Sequence, residues 1–240
     1  MKSYLINLEE DQTRLDFQVG QFHRLGLDFE RIEGCRDYRA EFSAFRWWCA
    51  VLRPVVKGEI GCALSHREIY RRMVERGEAC ATVFEDDVVL SLRVAEALPM
   101  AEALCRKDPL AVVLLSDHRQ GNRRDSLAGS GDSLSIVEAD WDFCMEGYVI
   151  GLAAARALAR AQKKIRVPAD SWKYFSRKGW LNLYRFKPAL CCQANEMFDS
   201  RIGDYYVVGN RPFWVKCWWK VCRAVGVILD FFLDGGKGRR

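Results

Sequence analysis

The chain has 240 residues, half of them hydrophobic, enough for one substantial core, and no internal repeat, glycine/serine linker or low-complexity tract divides it. Its net charge of +5 resides largely in the C-terminal tail and accompanies no recognised nucleic-acid motif, so nucleic acid is excluded as an expected partner. Ten cysteines at irregular spacing, no Cys-x-x-Cys pair and only three histidines argue against both a disulfide framework and a zinc site.

Strand-like and helix-like segments alternate along the chain, which predicts α/β architecture. Residues 4–8 read as the first strand. A helix from Asp11 or Thr13 follows, with Leu15, Val19, Phe22 and Leu25 along one side and a stop at Gly26. Residues 29–32 suit a second strand. A helix over about residues 61–76 is predicted by Cys62, Ala63, Ile69 and Met73 at helical spacing, with Gly77 ending it. Further strands are expected at 80–84, 111–115 and 147–150, a loop at 120–132, and a helix at 152–162. The opening residues show no n-region or h-region, and no stretch of about twenty residues is free of charge, so the expectation is a cytoplasmic protein with reduced thiols.

Residues 211–240 differ in character from residues 1–210. At 100° per residue, Trp214, Trp218, Val221, Val225, Ile228 and Leu229 share one face, with Lys216, Lys220, Arg223 and Asp230 opposite. Such an amphipathic helix suits peripheral contact with the inner face of the cytoplasmic membrane; docking of its apolar face on the domain is the alternative.

The most informative stretch is Val83-Phe84-Glu85-Asp86-Asp87-Val88-Val89. Three carboxylates at the end of a buried strand repel one another and resist desolvation unless a cation neutralises them. A hard divalent ion, Mn²⁺ or Mg²⁺, shared with a phosphate-bearing substrate resolves this, with Asp87 and Glu85 spaced as in an Asp-x-Asp motif. A solvated strand end or a helix N-terminal cap is the plainer reading of the same acids. Upstream, Gly58 and Gly61 allow close backbone approach to a ligand, and Glu59, Ser65 and His66 supply polar groups near a helix start. A histidine on a helix is by itself more often a satisfied core or surface residue.

These residues carry a resemblance. Tyr4-Leu5-Ile6-Asn7-Leu8 with Arg14, then Gly58-Glu59-Ile60-Gly61-Cys62-Ala63-Leu64-Ser65-His66, then Phe84-Glu85-Asp86-Asp87-Val88 resemble glycosyltransferase family 25, the group of bacterial lipopolysaccharide core glycosyltransferases and collagen galactosyltransferases. Gly147-Tyr148-Val149-Ile150, Pro168-Ala169-Asp170, and Gln193 with Ser200-Arg201-Ile202 match more weakly, and residues 41–53 match no block of the family. The resemblance implies one GT-A type, Rossmann-like domain, a nucleotide-sugar donor such as UDP-galactose, a glycan or glycolipid acceptor, a divalent metal and inversion at the sugar carbon. It sets Asn7, Leu8 and Arg14 near the nucleotide; a surface position on the first helix is the alternative for Arg14. Ser65 and His66 then touch the diphosphate or brace the acidic loop, and Asp86 or Glu85 holds the ribose or completes the metal shell. Inversion requires a base apart from the triplet. Asp170 is the first candidate, capping of a helix at Ser171 being its alternative; Asp142 and Glu146 are the fallbacks. Trp141 and Trp172 are candidates to stack on a sugar, although such aromatics are more often core. Two other functions stay open at this point: a metal-dependent phosphoryl-transfer enzyme, and a membrane-surface scaffold of the same fold without catalysis.

Overall fold

The computed structural model describes residues 1–35, 57–117, 124–140, 142, 145–163, 165 and 167–198. The amphipathic segment 211–240, residues 41–53, Trp141 and Ser200-Arg201-Ile202 lie outside them.

In chain order the elements are β1 (Lys2–Asn7), α1 (Gln12–Leu25), β2 (Glu30–Glu33), α2 (Lys57–Arg76), β3 (Cys80–Glu85), β4 (Val88–Leu90), α3 (Val94–Lys107), β5 (Ala111–Leu114), β6 (Ser135–Glu138), β7 (Gly147–Gly151), α4 (Leu152–Ala161), α5 (Trp172–Arg177), β8 (Asn182–Lys187) and β9 (Cys191–Gln193). Seven strands form one sheet in the order β2-β1-β3-β7-β5-β8-β6, and β4 pairs with β9 in a small second sheet. Five of the seven run the same way; β7 is antiparallel to β3 and β5, and β6 is antiparallel to β8. This is the expected α/β architecture, a mixed sheet of GT-A type with helices on both faces.

The period of two along each strand sorts side chains into two cores. Tyr4, Val83, Val112, Leu114, Tyr148 and Ile150 face one side, where Ile60, Ala63, Ile69 and Met73 of α2, Ala154 and Leu158 of α4, and Trp172 and Phe175 of α5 cover them. Leu5, Phe84, Val113 and Val149 face the other, against Phe22 of α1 and Val94, Ala97, Ala101 and Cys105 of α3. Burying a side chain of this size contributes about 1.5–3 kcal/mol, so both faces specify the strand register. The two predicted helix stops hold: Gly26 and Gly77 have φ of 63° and 65°, a conformation that glycine adopts without steric cost.

Several expectations need correction. The long helix begins at Lys57, four residues ahead of the predicted start. A helix forms over Val94–Lys107, where none is expected, with Pro99 in its second turn. On α1 the buried set is Arg14, Gln18, Gln21 and Phe22, while Val19 is 48% exposed. The buried face of that helix is therefore mostly polar, because it packs on the acidic turn rather than on the sheet alone. Gly61 does not make room for a ligand: a Cβ there would lie 2.3 Å from the carbonyl oxygen of Cys35.

Candidate active site at the carboxyl edge of the sheet

Strands that run the same way deliver their carboxyl ends to one edge, the usual position of ligands in open α/β sheets. Asn7 closes β1 and Glu85 closes β3, so the acidic triplet opens from the middle of that edge. Because β7 runs in the opposite sense, Asp142 and Glu146, which precede it, arrive at the same edge. The backbone N–H of Glu85 donates to the carbonyl of Glu146 at 3.0 Å, which fixes the two acids side by side.

Each acid of the triplet has its own environment. Asp86 is held from both sides: Arg14 Nη1 donates to Oδ1 at 2.8 Å and Asn7 Nδ2 donates to Oδ2 at 2.8 Å. The Asp86 and Val88 carbonyls accept from Gln18 Nε2, and Gln21 donates to Val88 and accepts from the Leu90 N–H. Arg14, Gln18 and Gln21, spaced along one face of α1, thus clamp the turn between β3 and β4. Arg14 is a buried ion-pair partner rather than a surface residue.

Asp87 has a different fate. Its Oδ2 accepts from Gln193 Nε2 at 3.4 Å and lies 3.8 Å from Arg14, but Oδ1 is buried and has no hydrogen-bond partner among the described residues. Burial, then the neighbouring Glu85 carboxylate, push Asp87 up to about 7. Burial, then Glu146, likewise raise Glu85 to about 7. Two carboxylates destabilised as anions, one with an unmatched oxygen, form an arrangement that a cation with oxygen ligands satisfies. The donor set is hard, which suits Mn²⁺ or Mg²⁺ on Asp87 and Glu85.

Glu85 also meets α2. His66 Nε2 lies 3.2 Å and Cys62 Sγ 3.5 Å from Glu85 Oε1. His66 is fully buried and pushed down to about 3 by that burial, and its Nδ1 lies 2.7 Å from Tyr148 Oη, itself 2.8 Å from Tyr70 Oη. Ser65 Oγ donates to the Gly61 carbonyl and accepts from the Cys35 N–H, both at 2.8 Å, so it anchors the chain arriving after β2. Glu59 is buried near the start of α2, and the Leu8 carbonyl accepts from the Asp11 N–H and from Arg31.

The three base candidates are also separated. Asp142 is buried and accepts from Arg185 Nη1 at 2.8 Å, an arginine that also holds Asp117 at 2.8 Å. Glu146 is buried and accepts from Ser116 Oγ at 3.0 Å. Asp170 is part-exposed just ahead of α5; burial, then Glu85, raise the Cys62 thiol, and the Asp170 charge adds to them. The cap of α5 falls on Ser171, not on Asp170. Trp172 is fully buried and edge-on to Tyr148, so it packs the core and offers no face to a sugar.

Residues 1–172 match glycosyltransferase family 25 (LPS biosynthesis protein). The mixed sheet and its flanking helices are those of a GT-A type glycosyltransferase domain. The chain belongs to glycosyltransferase family 25. It is 32% identical to procollagen galactosyltransferase 1 of Danio rerio over 123 residues, which is 50% of this chain and 20% of that one. It is 28% identical to a glycosyltransferase 25 family member of Aedes aegypti over 202 residues, 76% of this chain and 32% of the relative. A probable inactive glycosyltransferase 25 family member 3 of Bos taurus is 34% identical over 123 residues, 50% of this chain and 20% of the relative. The chain therefore spans between a fifth and a third of the length of these relatives.

Proposed function

We propose that the protein is an inverting, metal-dependent glycosyltransferase that moves a hexose, galactose from UDP-galactose, onto a lipopolysaccharide-type or other glycan acceptor. The observation that carries this reading is the Oδ1 of Asp87, buried and without a hydrogen-bond partner among the described residues, beside Glu85 at the carboxyl edge of the sheet. Mn²⁺ or Mg²⁺ bound to these two acids supplies the positive charge that a departing nucleoside diphosphate needs. Asp86, locked by Arg14 and Asn7, sets the path of the turn that presents them. Asn7, Leu8 and Arg14 line the start of the donor site, with Glu59, Ser65 and His66 bracing it from α2. The galactose and lipopolysaccharide readings draw on the names and family description of the relatives.

The acceptor hydroxyl must lose its proton as the oxocarbenium-like centre forms. Asp142 and Glu146 are buried, whereas Asp170 is part-exposed, where an acceptor hydroxyl can reach it, which favours Asp170 as the base. Among the described residues no helix is long and apolar enough to cross a membrane. The residue pattern of 211–240 supports peripheral contact with an anionic bilayer on the cytoplasmic side, next to a lipid-linked acceptor.

The test is Asp87→Asn. Sugar transfer is lost while the circular dichroism spectrum is retained; in the wild-type protein EDTA abolishes transfer and Mn²⁺ or Mg²⁺ restores it. Full activity in the variant removes the metal role. The relative named as inactive supports a second reading, a scaffold that keeps the fold without turnover. Donor hydrolysis across a panel of nucleotide sugars separates the two, and liposome binding without any turnover favours the scaffold.

A further inference from the structure

Cys62 and His66 stand one helical turn apart on α2, so both side chains project from the same face toward the end of β3. There they meet Glu85, and Sγ, an imidazole nitrogen and a carboxylate oxygen all lie within 4.8 Å of one another. From ordinary Zn–S, Zn–N and Zn–O bond lengths, a tetrahedral ion holds sulfur about 3.6 Å and nitrogen about 3.3 Å from a carboxylate oxygen. The observed separations from Glu85 Oε1 are 3.5 Å for Cys62 Sγ and 3.2 Å for His66 Nε2.

We infer that Cys62, His66 and Glu85 form a second metal site, selective for a borderline-soft divalent ion of the zinc class and distinct from the hard oxygen site at Asp87. The donor set makes the distinction: thiolate and imidazole suit zinc or cobalt, whereas Mg²⁺ and Mn²⁺ prefer oxygen ligands. The support behind the histidine is of the kind such sites use. Nδ1 lies 2.7 Å from Tyr148 Oη, itself 2.8 Å from Tyr70 Oη, which fixes the ring; in the tautomer that carries the proton on Nδ1, Nε2 turns a lone pair toward Glu85 and Cys62. His66 forms the buried rear wall, while Cys62 and Glu85 are part-exposed and leave an entry and a fourth position. On binding, the Cys62 thiol releases its proton to solvent and the thiolate becomes the ligand. The proposal departs from the expectation of no zinc site, which rests on the lack of a Cys-x-x-Cys pair and the few histidines; here the spacing is Cys-x-x-x-His on a helix, completed by a carboxylate from a strand.

Because Glu85 belongs to both sites, zinc draws it away from Asp87. This consequence, and only this, rests on the proposed function: zinc at stoichiometric levels inhibits sugar transfer.

Titration of the full chain with Co²⁺ tests the site directly. The expected result is a near-ultraviolet thiolate-to-cobalt band with tetrahedral visible bands, saturating at one equivalent and displaced by Zn²⁺. In Cys62→Ser the band disappears although nine other cysteines remain. An unchanged band in that variant, or no thiolate band in the wild type, overturns the site. A second measurement needs no variant: Zn²⁺ protects Cys62 from alkylation, read by peptide mass spectrometry, and Cys62 alkylated at the same rate with and without Zn²⁺ overturns it equally. Zinc binding as described in a protein without transferase activity sinks the functional reading alone. Transfer in a protein lacking the Cys62-dependent band sinks the zinc site alone.

Discussion

Replacing Arg14 by methionine tests the clamp on the acidic turn. The Arg14 and Asp86 side chains are only 6% and 10% exposed, and their contact is 2.8 Å. Truncation keeps the aliphatic volume but leaves the Asp86 carboxylate buried with Asn7 as its remaining side-chain donor. Removing one partner of a buried pair costs about 3–5 kcal/mol, because the other charge stays desolvated. For a domain of this size, where each kcal/mol moves the midpoint by about 2–4 °C, Tm falls by roughly 6–20 °C. Asp86→Asn costs less, since Arg14 still has Asp87 at 3.8 Å. In the double variant the two losses do not add, and urea melts followed by circular dichroism give a coupling of about 1–3 kcal/mol. Losses below about 1 kcal/mol in Arg14→Met, with no coupling to Asp86→Asn, refute the clamp.

Three further outcomes are expected. In EDTA the native state holds protons on Asp87 and Glu85 up to about 7, whereas their ordinary values are 3.8 and 4.5, so the native state binds more protons than the unfolded chain over that interval. Stability accordingly falls as pH rises from about 4 through 7; Asp87→Asn flattens this slope in thermal melts, Mn²⁺ does so in the wild type, and equal slopes with and without the substitution disprove it. Gly61→Ala drives a methyl into the Cys35 carbonyl, 2.3 Å from the built Cβ, and costs about 1–3 kcal/mol in chemical denaturation; a neutral result means that the loop before α2 yields freely. Asp170→Asn lowers kcat about 10²-fold or more with little change in donor affinity; a change confined to donor affinity redirects the search to Asp142 or Glu146.

The sequence makes the strands and the acidic edge legible because period-two patterning and a charged break in an apolar run are strong local signals. β1, β3, β5 and β7 lie where Tyr4, Val83, Val112 and Tyr148 announce them. Short or half-polar strands are harder: β8 reads Asn-Leu-Tyr-Arg-Phe-Lys, and only its neighbours β5 and β6 reveal why Arg185 is buried within it. The role of α1 is hidden for a related reason. Gln18 and Gln21 have ordinary polar side chains, and their burial makes sense only once the Asp86 and Val88 carbonyls lie opposite them. Cys62 escapes attention because its partner Glu85 is 23 residues away and comes from a different kind of element. For Trp172 the plainer of the two readings holds: the aromatic serves the core rather than a sugar.

The order of the large sheet has a practical consequence for where the folding unit stops. The family match ends at residue 172, yet β8 sits between β5 and β6, and β9 supplies the partner of β4. A fragment cut at the matched boundary would bare the backbone hydrogen-bonding groups of β5 and strand β6 without a neighbour, an invitation to pairing between molecules. The chain through Gln193 therefore belongs to the same paired framework as the motifs that precede residue 172.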